Sequence, residues 1–172
     1  SFLCLGPGWA SACNTPFRRH KVWVSEGGIS TPLIAHWPEG IRAGGELRHV
    51  VAHVIDVVPT LLELAAVPGK STRNGADSPP FPGKSLVPTL LGNGGLEREH
   101  LFFSHEGNRS LRMDHWKLVS AREDQDVWEL FDLGVDRCEK VNLAARDPDR
   151  VRRMQATWAS LNAQFQRDAA SP

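Results

Sequence analysis

Between residues 100 and 133 the chain reads as four short runs, HLFFS, NRSLRM, WKLVSA and VWELFDL, with turn signals between them. Runs of this length, rich in apolar and aromatic residues and bounded by polar or Gly-containing pieces, predict strands joined by tight connections. Met113-Asp114-His115-Trp116 has the pattern of a hairpin turn. The period then changes. Asp147 stands before Pro148, a helix-start pair: the carboxylate can accept from free N–H groups, and the donor that proline lacks would be unsatisfied there anyway. Val151, Met154, Trp158, Leu161 and Phe165 follow at helical spacing and form one apolar stripe. Such a stripe has to be covered, and one face of the meander is the nearest apolar surface. The C-terminal part is therefore expected to be a small antiparallel sheet with a helix packed on it.

Upstream the pattern is different. TPLIAHW (31–37) is an apolar run bounded by Gly and Pro and predicts a buried strand. RHVVAHVI (48–55) predicts a second. Asp56 is placed to cap a helix over VVPTLLELAAV, with Pro59 in its first turn and Pro68-Gly69 as its stop. Strand, short connection and helix together give an α/β layer. GKSTRNGADSPPFPG (69–83) reads as a polar, exposed excursion, KSLVPTLLG (84–92) as a short helical turn ending at Gly92, and NGG as a loop. Residues 1–20 are loop-like. The expected fold class is α/β (α+β), divided into 1–68, the end of an α/β domain, 69–95, a loop-rich connection, and 96–172, the sheet and helix. No internal repeat is visible.

The chain has 172 residues, 41% hydrophobic and 23% charged, with zero formal net charge. A balanced charge provides no global basic field, so no nucleic-acid partner is expected. No apolar run approaches the roughly 20 residues that span a bilayer. Cys4, Cys13 and Cys138 are odd in number and lack metal-ligand spacing. One pair could form in an oxidising compartment. SFLCLGPGWASAC has neither the basic stretch nor the long apolar core of a signal peptide and reads as a chain entered midway.

The histidines, His36, His49, His53, His100, His105 and His115, show no helical metal-ligand spacing. His105, in SHEGNRS, belongs either to a polar hairpin loop or to the rim of a cleft. Asp124 and Asp126 in REDQD lack the graded oxygen ligands of a Ca²⁺ loop. There is no G-x-S-x-G and no phosphate-binding P-loop. The remaining constellation is NTPFRRHKVWVSEGG, where Arg18, Arg19, His20 and Lys21 precede Glu26-Gly27-Gly28. It is either an anion site, with a fixed cation and converging backbone donors, or a solvated basic loop. Glu26 could pair with Lys21 or the arginines and orient them, and the glycines allow backbone geometry closed to other residues.

GPGWASACNTPFRRHKVWVSEGGISTPLIAHWP resembles the segment of arylsulfatases in which a catalytic lysine precedes an EGG turn. VIDVVPTLLELAAV, PFPGKSLVPTLLG, LFFSHEGNRSLRMDHWKLV and WELFDLGVDRCEKVNLAARDPDRV resemble later blocks of the same family, in order. The resemblance implies an alkaline-phosphatase-like α/β domain ending in an antiparallel subdomain. It also implies sulfate-ester hydrolysis with a formylglycine nucleophile and a divalent cation, usually Ca²⁺, acting on a sulfated small molecule or glycan. Lys21, five residues before Glu26, matches the lysine that contacts sulfate and the bridging oxygen, and Glu26, Gly27 and Gly28 match the turn that holds it. The nucleophile motif C-x-P-S-R is not present: after Cys13, Pro16 comes one residue late and Phe17 replaces Ser, so Cys13 is not expected to be the nucleophile. The metal ligands are expected upstream, with none in this chain. On this reading the chain is the C-terminal portion of an arylsulfatase and is inactive alone. A phosphodiesterase or phosphonate hydrolase of the same superfamily, or a non-catalytic binding module, is the alternative. The compartment is not specified.

Overall fold

The computed structural model describes residues 6–69, 72–73, 76–77, 80–92, 94–124 and 127–170. In chain order these form α1 (Gly6–Cys13), α2 (Glu26–Ile29), a 3-10 turn (Val54–Asp56), α3 (Val57–Leu64), the short strands β1 (Thr72–Arg73) and β2 (Ala76–Asp77), α4 (Val87–Leu90), the strands β3 (Leu101–His105), β4 (Asn108–Met113), β5 (Trp116–Ser120) and β6 (Glu129–Asp132), and α5 (Pro148–Ala170). They fall into two units, one of residues 1–32 with 98–172, the other of residues 33–97.

In the first unit the predicted meander is present, antiparallel throughout and in the order β3-β4-β5-β6. Its turns have the chemistry that two-residue hairpins demand. Glu106 and Gly107 lie at φ 48° and 81°, and Asp114 at 53°, the left-handed conformations whose twist suits adjacent strands. The register places Phe102, Leu111, Leu118 and Leu130 opposite one another on one face. There Leu111, Leu118 and Leu130 are fully buried against Met154 and Trp158 of α5, with Val151 and Leu161 beside them. Trp158 stacks on Phe102 at 5.2 Å and donates its indole N–H to the Phe103 carbonyl at 3.1 Å. The apolar stripe of α5 is thus covered from Val151 to Leu161, while Phe165 at its end meets Phe102 and stays 38% exposed. Asp147 accepts from the Arg150 backbone N–H at 3.0 Å, and this bond, with the Arg150 guanidinium, holds its carboxyl below the ordinary range.

The opposite face carries Val119, Phe131 and Lys117, and it is covered by the chain around α2: Val24 and Ile29 join Val119, Phe131 and Leu133 in a second core. The sheet therefore has helix α5 on one side and the segment that includes Glu26-Gly27-Gly28 on the other.

The second unit corrects two expectations. Residues 31–37 and 48–55 are not strands: 31–37 and 48–53 run as irregular chain, Val54 and Ile55 open the 3-10 turn, and Leu33 and Ile34 are 63% and 89% exposed. A strand exists only through its ladder partner, and the described strands pair with one another within two closed sets, β1 with β2 and β3 through β6. Pro32 and Pro38 also frame the first run and remove donors from it. Asp56 is also used differently from a simple cap. It is fully buried, accepts from the His53 and Lys84 backbone N–H groups at 2.7 and 2.8 Å, and makes no side-chain bond into α3. The helix stops at Leu64, because Ala66 turns left-handed at φ 51° and Val67 closes back onto the Leu62 carbonyl. The excursion at 69–83 lies in part outside the described residues.

Candidate functional site

The basic segment lies in the first unit, and its backbone is strained on both sides of Lys21. Arg19 adopts φ 63° and Val22 φ 94°. A β-branched residue at such an angle is a true outlier and persists only where the surroundings over-determine it. Several contacts supply that determination. Trp23 N–H donates to the His20 carbonyl at 3.2 Å and Gly27 N–H to the Arg18 carbonyl at 3.0 Å. Asn108, fully buried at the start of β4, donates its side-chain amide to the Val22 carbonyl at 3.2 Å. Arg19 pairs with Asp124 at 3.4 Å and lies 5.6 Å from the Trp23 ring centroid, whose edge meets His20. Lys21 itself is exposed.

Gly27 and Gly28 are required for space and not, as expected from the sequence, for unusual dihedrals, since neither has a left-handed φ. A Cβ on Gly27 would lie 2.3 Å from the carbonyl oxygens of both Arg18 and Arg19, and one on Gly28 would lie 1.9 Å from that of Trp23. Only a bare Cα lets α2 sit directly under the loop that carries Lys21.

Glu26 also departs from expectation. It does not orient Lys21, Arg18 or Arg19; it points into the sheet. Its Oε1 accepts from the Lys117 ammonium at 2.9 Å and its Oε2 from the Arg137 guanidinium at 2.8 Å, while its backbone N–H donates to Glu139 Oε2 at 3.0 Å. Lys117, with no exposed side-chain surface, also meets Glu139 Oε1 at 2.8 Å. Two carboxylates and two cations thus close a neutral cluster. Burial alone would raise the carboxyl of Glu26; Lys117 and then Arg137 outweigh it and hold the group below its ordinary value of 4.5. Glu139 reaches this position through a left-handed backbone at φ 54°, and its carbonyl accepts from the Arg18 guanidinium at 2.7 Å.

The SHEGNRS hairpin meets the basic loop through Asn108. His105 is exposed and lies against Glu106 at 3.8 Å. Reading the sequence alone misses Lys117, Arg137 and Glu139. Lys117 carries a signal, a charge at an inward position of the apolar strand WKLVS, whereas nothing marks Glu139. Among the described residues no group of three or more His, Cys, Asp or Glu is placed to hold a metal ion. Cys13 is exposed and free and Cys138 is half-buried and free, while Cys4 and Asp126 lie outside the described residues. No helix among the described residues is long and apolar enough to cross a membrane.

Residues 18–167 match the family described as N-sulphoglucosamine sulphohydrolase, C-terminal. The chain is 31% identical to an uncharacterised sulfatase of Schizosaccharomyces pombe, over 95% of its own length and 30% of that protein. It is 28% identical to the N-acetylgalactosamine-6-sulfatase of Rattus norvegicus, over 76% of its length and 24% of that protein. A solved Bacteroides thetaiotaomicron structure, from a locus for metabolism of multiple glycosaminoglycans, superposes with a TM-score of 0.70 at 22% identity and covers 86% of this chain and 32% of that one. The chain thus spans a quarter to a third of the proteins it matches. The matched family covers the basic loop, the EGG turn, the sheet and α5 together, and the chain belongs to it as a sulfatase C-terminal fragment.

Proposed function

We propose that this chain is the C-terminal part of a sulfate-ester hydrolase and that Lys21 contacts the sulfate of the substrate. The observation that carries this reading is the presentation of Lys21: an exposed side chain on a strained turn, whose backbone is held by hydrogen bonds within the segment and by Asn108 of β4. A cation carried on a backbone held in that way, at the place where charge develops on the departing oxygen, stabilises the transition state more than the ground state. Glu26, Gly27 and Gly28 hold the turn. His105 lines the approach for the substrate, which is a sulfated small molecule or glycan, in keeping with the sugar and uncharacterised sulfatases among the relatives. The formylglycine nucleophile and the Ca²⁺ ligands belong to the rest of the parent protein, and residues 1–68 complete its α/β domain.

Two measurements test the proposal. In the full-length sulfatase, Lys21→Ala lowers kcat/KM for p-nitrophenyl sulfate by on the order of 10²–10³-fold, the usual cost of removing one preorganised group that stabilises developing charge. The melting temperature stays unchanged, because the side chain is exposed. An unaltered kcat/KM overturns the role of Lys21. The purified 172-residue chain by itself does not turn over p-nitrophenyl sulfate. Measurable turnover would show that the chain carries its own nucleophile and would overturn the division of labour.

A further inference from the structure

We propose that Lys117 and Glu139, in the C-terminal sheet and the turn after it, are positioning residues for Lys21. This rests on the reading of Lys21 given above. The loop that carries Lys21 has no regular secondary structure to keep it in place: residues 14 to 24 contain turns and bends, with left-handed backbone at Arg19 and Val22. Strain of that kind relaxes unless something opposes it. Asn108 and Asp124 oppose it at Val22 and Arg19, and a further set of contacts converges on Glu139. Its carbonyl takes the Arg18 guanidinium at 2.7 Å, its Oε2 takes the Glu26 backbone N–H at 3.0 Å, and its Oε1 meets Lys117 at 2.8 Å. Arg18 and Glu26 flank the strained stretch that carries Lys21. Glu139 therefore ties both to one point, and Lys117 ties that point and Glu26 to the centre of β5. Gly27 then docks under the Arg18 and Arg19 carbonyls at a spacing that leaves no slack.

The arrangement predicts a specific dependence: Glu139 matters for catalysis only because Lys21 does. A double-mutant cycle in the full-length sulfatase reads this directly. Glu139→Gln keeps the shape and one acceptor for the Glu26 N–H while weakening the tie to Lys117. It is expected to lower kcat/KM by roughly tenfold or more, since misplacement of a catalytic group by even 1 Å costs about 10²-fold. In a Lys21→Ala background the same change is expected to alter kcat/KM by less than about twofold, because the group being positioned is gone. Additive losses overturn the proposal and assign Glu139 a merely structural role. A Lys21→Ala variant with full activity overturns instead the underlying reading of Lys21, so the two failures are distinguishable. If Glu139→Gln does not fold, Arg18→Ala carries the same cycle, as its half-exposed side chain reaches the Glu139 carbonyl from the outside. Non-additivity of Arg18→Ala with Lys21→Ala supports the proposal, and additivity overturns it.

Discussion

Replacing Lys117 by methionine is expected to destabilise the fold by about 3–5 kcal/mol, the range for removing one partner of a buried ion pair. The loss is large because of what remains. Glu26 and Glu139, 3% and 0% exposed, would be left close together with Arg137, and at longer range Arg112, to compensate. The pH dependence identifies the cause. In the native protein Glu26 titrates below 4.5, so its contribution is fully present above that pH and is lost as the pH falls through the lowered value. In the variant the Lys117 contribution is gone, so the Glu26 carboxyl moves up from its lowered value while Arg137 still opposes burial. Less stabilisation then remains to be lost on acidification, and stability falls less steeply with pH than in the native protein. Urea unfolding at pH 7 and pH 5 measures both effects. A loss under about 1 kcal/mol, or parallel pH profiles for the two proteins, would contradict the account of the cluster.

Gly28→Ala is expected to cost on the order of 10²-fold in kcat/KM of the full-length sulfatase, in proportion to the displacement it forces on the Lys21 loop. The added Cβ would fall 1.9 Å from the Trp23 carbonyl oxygen and 2.8 Å from that of His20. Both obstacles are backbone atoms, so no side-chain rotation relieves them. The loop must lift, and overpacking of this type adds about 1–3 kcal/mol of destabilisation. Gly95→Ala serves as the control, as nothing lies within 4 Å of its added Cβ. Equal kinetics for Gly28→Ala and Gly95→Ala would show that close docking of α2 does not govern the position of Lys21.

The parts of the fold legible in the sequence are those whose cause is local. The β4–β5 turn announces itself at Asp114-His115, and α5 is written in Asp147-Pro148 and five apolar residues at helical spacing. One local reading fails, since Gly6–Cys13, expected to be loop, form α1; the other misread parts depend on distant partners. TPLIAHW and RHVVAHVI have strand-like composition, yet no described strand pairs with them and neither forms a strand. The glycines of EGG are recognisable as necessary, but the reason is the nearness of two carbonyls, which spacing does not reveal. Glu26 illustrates the limit best. Its nearest cations in sequence are Lys21 and Arg19, and its actual partners lie 91 and 111 positions away. Electrostatics selects the partner that shares its low-dielectric surroundings over the one that is close along the chain.

The Glu139 tie also sets an order of events during synthesis. The contact between the Glu26 N–H and the Glu139 carboxylate spans 113 positions. At ribosomal speeds of about 5–20 residues per second, the EGG segment waits on the order of ten seconds before its anchor exists. Throughout that interval the loop lacks the ties to Arg18 and Glu26, and a nascent chain cut off before residue 139 never acquires them. Maturation of this wall of the site is thereby coupled to completion of the C-terminal sheet, so a truncated product would be born with the lysine but without the geometry.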